Sequence, residues 1–354
     1  MEHNLTAEFF KKAKVIYDRL EDEESKKIFM YKLDWAITNN VDSFVQYLIN
    51  KDYYEFIQKV EKLAKENEVI IYGAGENCSK VMQICNNIHI SCICDKSTEK
   101  QMSGYCGIPV ISPEELVSYH ADAAVIISTT KYQNEVLEKL NKRFKKEKLL
   151  LFSFCEQERY KQQYFEKNII NFSQDEVFVD GGCYDFSTSL ELMKRCKVKK
   201  IYAFEPDEEN IGKIKQQMGR NTNCDVVLIK KGLWDKTDTL IFSATGDMES
   251  CIIEENGLLE SNNDVVKVQV TAMDEVIKDR VSFIKMDIEG AELRALRGAK
   301  YLIQKYKPKL AISIYHKPED IIDIPNYIVD LVPEYKFYIR QYSYGYCETV
   351  LYAI

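Results

Sequence analysis

Two apolar segments that each end in an acidic residue constrain the fold of this chain more than any other feature. They read VFVDGG at 177–182 and IYAFEPD at 201–207, and their acids, Asp180 and Glu205, lie 25 residues apart. That spacing fits a strand, a glycine turn, a helix and a second strand tipped by an acid. A carboxylate offers two acceptor oxygens, so Glu205 suits the two hydroxyls of a ribose. The pattern predicts a parallel sheet that binds a nucleoside at its carboxyl edge.

The bulk composition narrows the class of protein. A chain of 354 residues exceeds one ordinary core and predicts two domains. A net charge of −8 argues against nucleic acid as a partner, because phosphate binding requires a basic face. The 11 cysteines have no disulfide-framework or zinc-ligand spacing and fit a reducing compartment. Because the chain shows neither a signal peptide nor an apolar run of about 20 residues, we expect a cytoplasmic protein without a membrane span.

Four segments are expected along the chain. Residues 1–65 contain neither glycine nor proline and carry apolar residues at helical spacing, which predicts a helical segment. Residues 66–155 alternate short apolar strands with helices and predict a small Rossmann-like domain. A polar connector, 156–175, leads to a larger α/β domain at 176–354. The helical segment is expected to cover the next domain or to form a homodimer contact.

The small domain contains part of a dinucleotide-binding fingerprint. The sequence IYGAGENC at 71–78 has two glycines of the three, and Cys78 replaces the third. Asp95 follows near the position of a ribose-binding acid. The candidate nucleotide-binding residues are Gly73, Gly75, Glu76, Asn77 and Asp95. A scaffold without a ligand remains the alternative. The strands are predicted at 69–72, 88–95, 123–128 and 149–154.

The larger domain is predicted to alternate strands and helices and to end in an antiparallel hairpin. Its predicted strands are 177–180, 201–205, 226–233, 282–287 and 310–315, its helices 187–196, 208–218, 291–305 and 318–331, its β-rich insertion 238–271, and its hairpin strands 335–341 and 348–352. This order is the usual one in a class I methyltransferase.

Residues 177–353 resemble the FkbM-type methyltransferase family. The motifs that carry the resemblance are VDGGCYD, AFEPD, GLWD, IKMDIEGAE, KPKLAISIYHKPEDI and the terminal ETVLYA. They cover about half of the chain, in the order and spacing of the family. The 66–155 domain resembles Rossmann-like modules associated with nucleotide sugars, through IYGAGE and GIPVISPEEL.

The resemblance implies S-adenosylmethionine as the cofactor and an oxygen on a sugar, glycan or polyketide as the methyl acceptor. It implies that Asp180 faces the cofactor's ammonium, directly or through water, that Glu205 holds the ribose and that 232–235 lines the adenine. The family often has glycine after position 185, where this chain has Phe186, a residue able to narrow the methionine pocket or to fold outward. The full set of cofactor-binding candidates is Asp180, Gly181, Gly182, Tyr184, Asp185, Thr188, Glu205, Pro206, Asp207, Gly232, Leu233, Trp234, Asp235 and Asp287.

Three residues are candidates for catalysis. Methyl transfer requires an aligned acceptor oxygen and a group that takes up its proton. His316 is the first choice for that base, Asp287 is the alternative, and Glu289 lies beside them. Glu292 is expected to cap a helix. No metal is expected, although Asp287 and Glu289 offer the oxygen ligands of a hard cation such as magnesium.

The sequence therefore predicts an O-methyltransferase that acts on a sugar, a glycan or a related precursor. The substrate is expected to be a small molecule or glycan, and the N-terminal domain could hold a nucleotide-linked sugar by its nucleotide. Two alternatives remain open: an NAD-linked nucleotide-sugar oxidoreductase and a non-catalytic cofactor-binding protein.

Overall fold

The chain divides into two compact units. The computed structural model describes residues 6–129, 131–152, 160–221, 224–243, 265–343 and 345–354. One unit is Val45–Gln157, and the other combines Met1–Phe44 with Glu158–Ile354. The predicted helical segment 1–65 is thus shared between the units. Residues 156–159 of the predicted connector and 244–264 of the predicted insertion lie outside the described residues.

The first two helices pack against the C-terminal part of the larger unit: the first contacts the helix Asp320–Leu331, and the second contacts the hairpin strand Phe337–Gln341. Helix α1 is Ala7–Tyr17, α2 is Glu23–Thr38 and α3 is Asp42–Ala64. Asp22 caps α2 by accepting a hydrogen bond from the Ser25 amide at 2.8 Å. The same carboxylate pairs with Arg340 at 2.6 Å, and Ser25 Oγ accepts from the Ile339 amide at 2.9 Å. These contacts connect the start of the chain to its end.

The smaller unit is a parallel sheet covered by helices on both faces. Its strands are β1 Val69–Tyr72, β2 Ile90–Cys94, β3 Val110–Ile111, β4 Ala124–Ile127 and β5 Leu149–Leu151, and its helices besides the end of α3 are α4 Glu76–Ile84, α5 Thr98–Ser103, α6 Pro113–Tyr119 and α7 Gln133–Leu140. The strand order is β3-β2-β1-β4-β5, with parallel pairing throughout. Strand β3 was not predicted because it has two residues. The order matches the first five strands of the doubly wound order 3-2-1-4-5-6.

The larger unit contains a seven-stranded sheet of the class I methyltransferase type. Its strands are β6 Glu176–Gly181, β7 Val198–Phe204, β8 Asp225–Ile229, β12 Phe283–Met286, β13 Lys309–Ser313, β14 Phe337–Gln341 and β15 Thr349–Ala353. The order is β14-β15-β13-β12-β6-β7-β8, and only the pairs that involve β15 are antiparallel. The predicted fold class is confirmed.

A second, three-stranded sheet accounts for one wrong prediction. It comprises β9 Gly232–Leu233, β10 Asp238–Ser243 and β11 Val265–Thr271. The predicted strand 226–233 is two strands, because β8 pairs with β7 while β9 pairs with β11.

The helices of the larger unit cover the seven-stranded sheet. They are α8 Ser187–Arg195, α9 Glu208–Asn221, α10 Met273–Val276, α11 Glu292–Arg297, α12 Lys300–Tyr306 and α13 Asp320–Leu331. The predicted single helix 291–305 is wrong, since α11 and α12 are separate. Gly298 lies at their junction, where an added Cβ would be 2.1 Å from the Trp234 carbonyl oxygen. Among the described residues, no helix is long and apolar enough to cross a membrane.

Candidate active site

The candidate site lies where three neighbouring strands of the large sheet end. Gly181 pairs with Phe204 on one side and with Met286 on the other. The residues that follow each strand, the glycine turn, Glu205 and Asp287, therefore share one edge of the sheet. The carboxyl edge of a parallel sheet is the usual ligand-binding edge.

The two glycines of the turn allow the strand ends to pack closely. Gly182 has φ +71°, and a Cβ there would lie 1.9 Å from the Asp287 carbonyl oxygen. A Cβ on Gly181 would lie 2.7 Å from Leu233 Cδ1. Side chains at both positions would collide with neighbouring strands. This packing is an additional reason for glycine besides the predicted approach of a ligand.

Asp180 lies beneath this turn as part of a buried ion pair. It has no exposed surface, and it accepts a hydrogen bond from Ser189 Oγ at 2.6 Å. Lys285 Nζ lies 3.2 Å from its carboxylate and donates to the carbonyl oxygens of Gly181 and Gly182 at 3.1 and 2.7 Å. Burial lowers the pKa of Lys285, but the carboxylates of Asp180 and Asp287 outweigh burial and raise it. Asp180 thus fixes the turn through Lys285, and the prediction that it faces the cofactor's ammonium, directly or through water, stays a prediction.

Glu205 is a nearly buried carboxylate that retains acceptor capacity. Glu205 is only 6% exposed. One oxygen accepts from the Tyr184 amide at 2.9 Å, and the other accepts from the Asp207 amide at 3.0 Å. Asn210 Nδ2 also donates to the second oxygen, at 3.5 Å. A carboxylate has about four lone-pair sites, so these three donors still leave acceptor capacity for a ribose hydroxyl.

The residues after the glycine turn serve local structure. Tyr184 is 59% exposed, and Lys213 Nζ lies 5.0 Å from its ring centroid. Asp185 lies just before α8, and its Oδ1 accepts a hydrogen bond from the Ser187 amide at 2.9 Å. Thr188 lies half-buried in the first turn of that helix. Phe186 has φ +72° and is fully buried in the core of the sheet. Its ring therefore packs inward, and the positive φ is the conformation for which glycine is favoured.

The remaining cofactor candidates lie after β7 and in and directly after β9. Pro206 is exposed, and Asp207 Oδ1 accepts from the Asn210 amide at 2.9 Å at the start of α9. Gly232 and Leu233 form β9, which ends beside the glycine turn. The Trp234 amide donates to the Thr271 carbonyl at 3.0 Å. Asp235 pairs with Arg294 at 2.8 Å, so its carboxylate already has a partner.

Four ionisable side chains meet at the ends of β12 and β13. His316 Nε2 lies 3.4 Å from Asp287 Oδ1 and 3.5 Å from Glu289 Oε2. On the other side of the ring, His316 Nδ1 lies 3.0 Å from Glu292 Oε1. Glu292 is fully buried, whereas the Glu289 side chain is 85% exposed. The same Glu292 oxygen accepts from the Ile288 amide at 2.8 Å, and because Ile288 precedes α11 this bond does not cap the helix.

The charge on His316 changes the predicted chemistry. Burial lowers the pKa of His316, but the carboxylates of Glu292, Asp287 and Glu289 more than compensate and raise it to about 9. A protonated imidazole cannot accept a proton at neutral pH, so the prediction of His316 as the base is not supported in this state. Burial and the charge of Glu292 also raise the pKa of Asp320 to about 7.

Sequence reasoning missed four residues of this site. Tyr164 donates to Asp287 Oδ2 at 2.7 Å, and Tyr315 donates to Asp287 Oδ1 at 3.1 Å. Glu348 is a largely buried acid whose pKa is raised by burial and by the nearby Asp287. Lys285 was the one member with a signal in the sequence, since a lysine inside an apolar strand is unusual. The others depend on tertiary contacts.

The polar side chains at the glycine turn of the smaller unit have partners within that unit. Asp95 accepts from the amides of Ala74 and Ser97 at 2.7 and 2.9 Å. Asn77 Nδ2 donates to the Ser128 carbonyl at 3.1 Å, and Glu76 pairs with Lys80 at 3.1 Å. Gly73 has φ +105°, and Gly75 immediately precedes α4. Both oxygens of Asp95 therefore accept backbone hydrogen bonds.

Two parts of the chain match known protein families. Residues 177–345 match the model of the methyltransferase FkbM domain. This match supports a methyltransferase domain in this part of the chain. Residues 65–150 match the C2185-like N-terminal family. The search of curated proteins finds no match.

Several solved structures resemble this chain. The methyltransferase FkbM from Methylobacillus flagellatus KT is 20% identical, covers 88% of this chain and 98% of its own, and gives a TM-score of 0.49. An rRNA methylase from Streptococcus thermophilus is 16% identical over 51% of this chain and 86% of its own, with a TM-score of 0.33. Aeropyrum pernix fibrillarin with bound S-adenosyl-L-methionine is 11% identical over 54% of this chain and 72% of its own, with a TM-score of 0.33.

The range that matches the FkbM domain contains most of the candidate site. Asp180, Glu205, Asp287 and His316 lie inside the matched range. Tyr164 and Glu348 lie just before and just after it. The acidic end of the site therefore includes side chains that flank the matched range.

Proposed function

We propose that this protein transfers a methyl group from S-adenosylmethionine to a hydroxyl oxygen of a sugar, a glycan or a related precursor. The observation that carries the cofactor assignment is Glu205, a nearly buried carboxylate beside a glycine turn that retains acceptor capacity. In this fold such an acid is suited to the two ribose hydroxyls of a nucleoside.

The residues at this edge fit the parts of the cofactor. Glu205 would hold the ribose, and the turn at Gly181 and Gly182 would lie against the amino-acid part. Lys285 fixes that turn through two carbonyl oxygens. The bound cofactor supplies a methyl group on a positively charged sulfur, which makes that carbon electrophilic.

The chain must align the acceptor and provide for its proton. The S–CH₃ bond breaks as the O–CH₃ bond forms, sulfur keeps the electron pair, and the acceptor hydroxyl releases a proton. Positioning alone supplies much of the rate for such a displacement. His316 carries a proton at neutral pH, so Asp287 is the better candidate to receive it. Asp287 is half-buried at the end of β12, next to the proposed cofactor site.

A nicotinamide-linked activity in the smaller unit has less support. The glycine turn of that unit carries only two of the three glycines of a dinucleotide-binding fingerprint, because Cys78 replaces the third. The acceptor class itself rests on the family resemblance. Exposed aromatic rings such as Tyr184 and Tyr346 provide surfaces on which a sugar can stack.

The test is methyl transfer to a panel of acceptors. Purified protein would be incubated with methyl-labelled S-adenosylmethionine and either nucleotide sugars or oligosaccharides, and products would be identified by mass spectrometry. We expect a methylated hydroxyl, with at least a tenfold loss of kcat/KM in Glu205→Ala and little loss in Glu208→Ala. Glu208 is a matched control because it is an exposed acid three residues away. Cofactor binding without turnover on any acceptor would favour the non-catalytic alternative.

A further inference from the structure

We propose that His316, Asp287 and Glu289 bind one divalent cation, with Glu292 orienting the histidine from behind. Asp287, Glu292 and His316 offer ligand atoms that all lie within 4.8 Å of one another. Glu289 adds an exposed carboxylate on the solvent side of the same ring nitrogen. The cluster lies next to the proposed cofactor site because Asp287 directly follows β12.

The distances around His316 Nε2 match those between ligands of a common ion. Metal–ligand distances of about 2.1 Å at tetrahedral or octahedral angles place neighbouring ligand atoms about 3.0–3.4 Å apart. Nε2 lies 3.4 Å from Asp287 Oδ1 and 3.5 Å from Glu289 Oε2. An ion bound to Nε2 would therefore be within reach of Asp287, and the exposed Glu289 side chain could turn to join it.

The histidine is buried and incompletely satisfied. The His316 side chain is nine-tenths buried, and neither ring nitrogen makes a hydrogen bond with the described residues. Glu292 faces Nδ1 at 3.0 Å and has no exposed surface. A carboxylate behind a histidine whose other nitrogen holds a metal is a common arrangement, because it fixes the orientation of the ring. Glu292 Oε2 also lacks a hydrogen-bond partner in the described structure.

The charge around the cluster is also incompletely balanced. Asp287, Glu289, Glu292 and Glu348 surround one imidazole. Lys317 Nζ lies near but donates to the Gly290 carbonyl at 2.5 Å, and Lys285 pairs with Asp180. Burying carboxylates is costly unless cations compensate them. A divalent cation would supply the missing positive charge.

The ligand set selects the class of ion. One imidazole with carboxylates suits a first-row divalent ion such as Mn²⁺ or Zn²⁺, whereas Mg²⁺ and Ca²⁺ prefer oxygen ligands alone. Binding would displace the proton that His316 holds in the metal-free protein, because only a neutral imidazole can be a ligand. Resting on the proposed function, the ion would coordinate the acceptor hydroxyl and lower its pKa. The proton would then leave to solvent as the O–CH₃ bond forms, and Asp287 would act as a ligand instead of the base.

The test uses Mn²⁺ as the probe, without cofactor or acceptor. Chelator-treated full-length protein would be titrated with Mn²⁺ while electron paramagnetic resonance follows the free ion. We expect one bound ion per chain, with affinity reduced at least tenfold in Asp287→Asn and His316→Gln, and about 10–100-fold in Glu292→Gln. Glu334→Gln should bind as the wild type does, because Glu334 is an exposed acid that pairs with Lys307.

Glu289→Gln keeps the proposal falsifiable if a buried variant fails to fold. The exposed Glu289 side chain can be changed without disturbing the core, and we expect Mn²⁺ affinity to fall several-fold. Absence of binding by the wild type, or equal binding by wild type, Glu289→Gln and Glu292→Gln, would overturn the proposal. A parallel titration with S-adenosylhomocysteine separates the two claims. Cofactor binding without Mn²⁺ binding refutes only the cation site, and Mn²⁺ binding without cofactor binding refutes only the proposed function.

Discussion

Lys285 is a charged residue in the middle of a buried strand, and its partner comes from a strand more than 100 residues earlier. The acids at the strand ends were predictable, since Asp180, Glu205 and Asp287 each follow an apolar run. The pairing of Lys285 with Asp180 was not, because it depends on the register between β12 and β6. The contact from Tyr164 to Asp287 likewise comes from the connector, where no periodicity indicates direction.

Removing Lys285 would leave Asp180 charged and buried without its partner. We expect Lys285→Met to lower the free energy of unfolding by about 3–5 kcal/mol. Urea denaturation followed by tryptophan fluorescence measures this, since both tryptophans, Trp35 and Trp234, lie in the larger unit. Lys194→Met is the control, because Lys194 is an exposed partner of Glu191. A loss below about 1 kcal/mol in Lys285→Met would contradict the role of the pair.

The raised pKa of His316 predicts a pH dependence of stability. The folded chain holds this proton more tightly than the unfolded chain, whose histidine has a pKa of about 6.5. The stabilisation is therefore complete below about pH 6.5 and is lost as pH rises through about 9. We expect the free energy of unfolding to fall by about 2–3 kcal/mol across that range. In the same fluorescence assay, the free energy of unfolding of His316→Gln should depend less on pH than that of the wild type. An unchanged pH dependence in that variant would mean that a group other than His316 causes it.

The elements of the large sheet were predicted from apolar runs and turn residues. The errors occurred where contacts between elements decide the boundary. Gly298 separates α11 from α12 beside the Trp234 carbonyl, which no local pattern in 291–305 indicates. Strands β8 and β9 were merged because both are apolar, although each pairs with a different strand.

The contact between the glycine turn and β12 gives a prediction at this scale. Gly182→Ala would place a Cβ 1.9 Å from the Asp287 carbonyl oxygen at a positive φ. We expect a loss of several kcal/mol in the free energy of unfolding and loss of cofactor binding, because the turn must move away from β12. Gly212→Ala is the control: Gly212 lies in α9 with nothing within 4 Å of an added Cβ. That variant should gain up to about 1 kcal/mol. Equal effects of the two changes would contradict this account of the turn.

At the scale of the whole molecule, the chain leaves the larger unit after residue 44 and returns to it at residue 158. Sequence patterns predicted two α/β domains but assigned 1–65 to one helical segment. The contacts divide that segment, since Asp22 and Ser25 contact the C-terminal hairpin through Arg340 and Ile339. Such long-range contacts cannot be read from local periodicity.

Two deletions test this division. We expect replacement of residues 45–157 by a flexible Gly/Ser linker to preserve the unfolding transition reported by tryptophan fluorescence and to preserve binding of S-adenosylhomocysteine. Deletion of residues 1–44 should weaken both, because it removes the partners of Arg340 and Ile339. If the linker variant also raised the acceptor's KM many-fold, the smaller unit would hold part of the substrate. Loss of folding in the linker variant would contradict the division.

The central claim is that the carboxyl edge of the large sheet binds S-adenosylmethionine through Glu205. The most direct measurement is calorimetric titration of the wild type, Glu205→Ala and Glu208→Ala with S-adenosylhomocysteine, after thermal denaturation has shown that each is folded. We predict binding with one site per chain in the wild type and in Glu208→Ala, and at least a tenfold weaker affinity in Glu205→Ala. Absence of binding in the folded wild type, or equal affinity in all three proteins, would contradict the account.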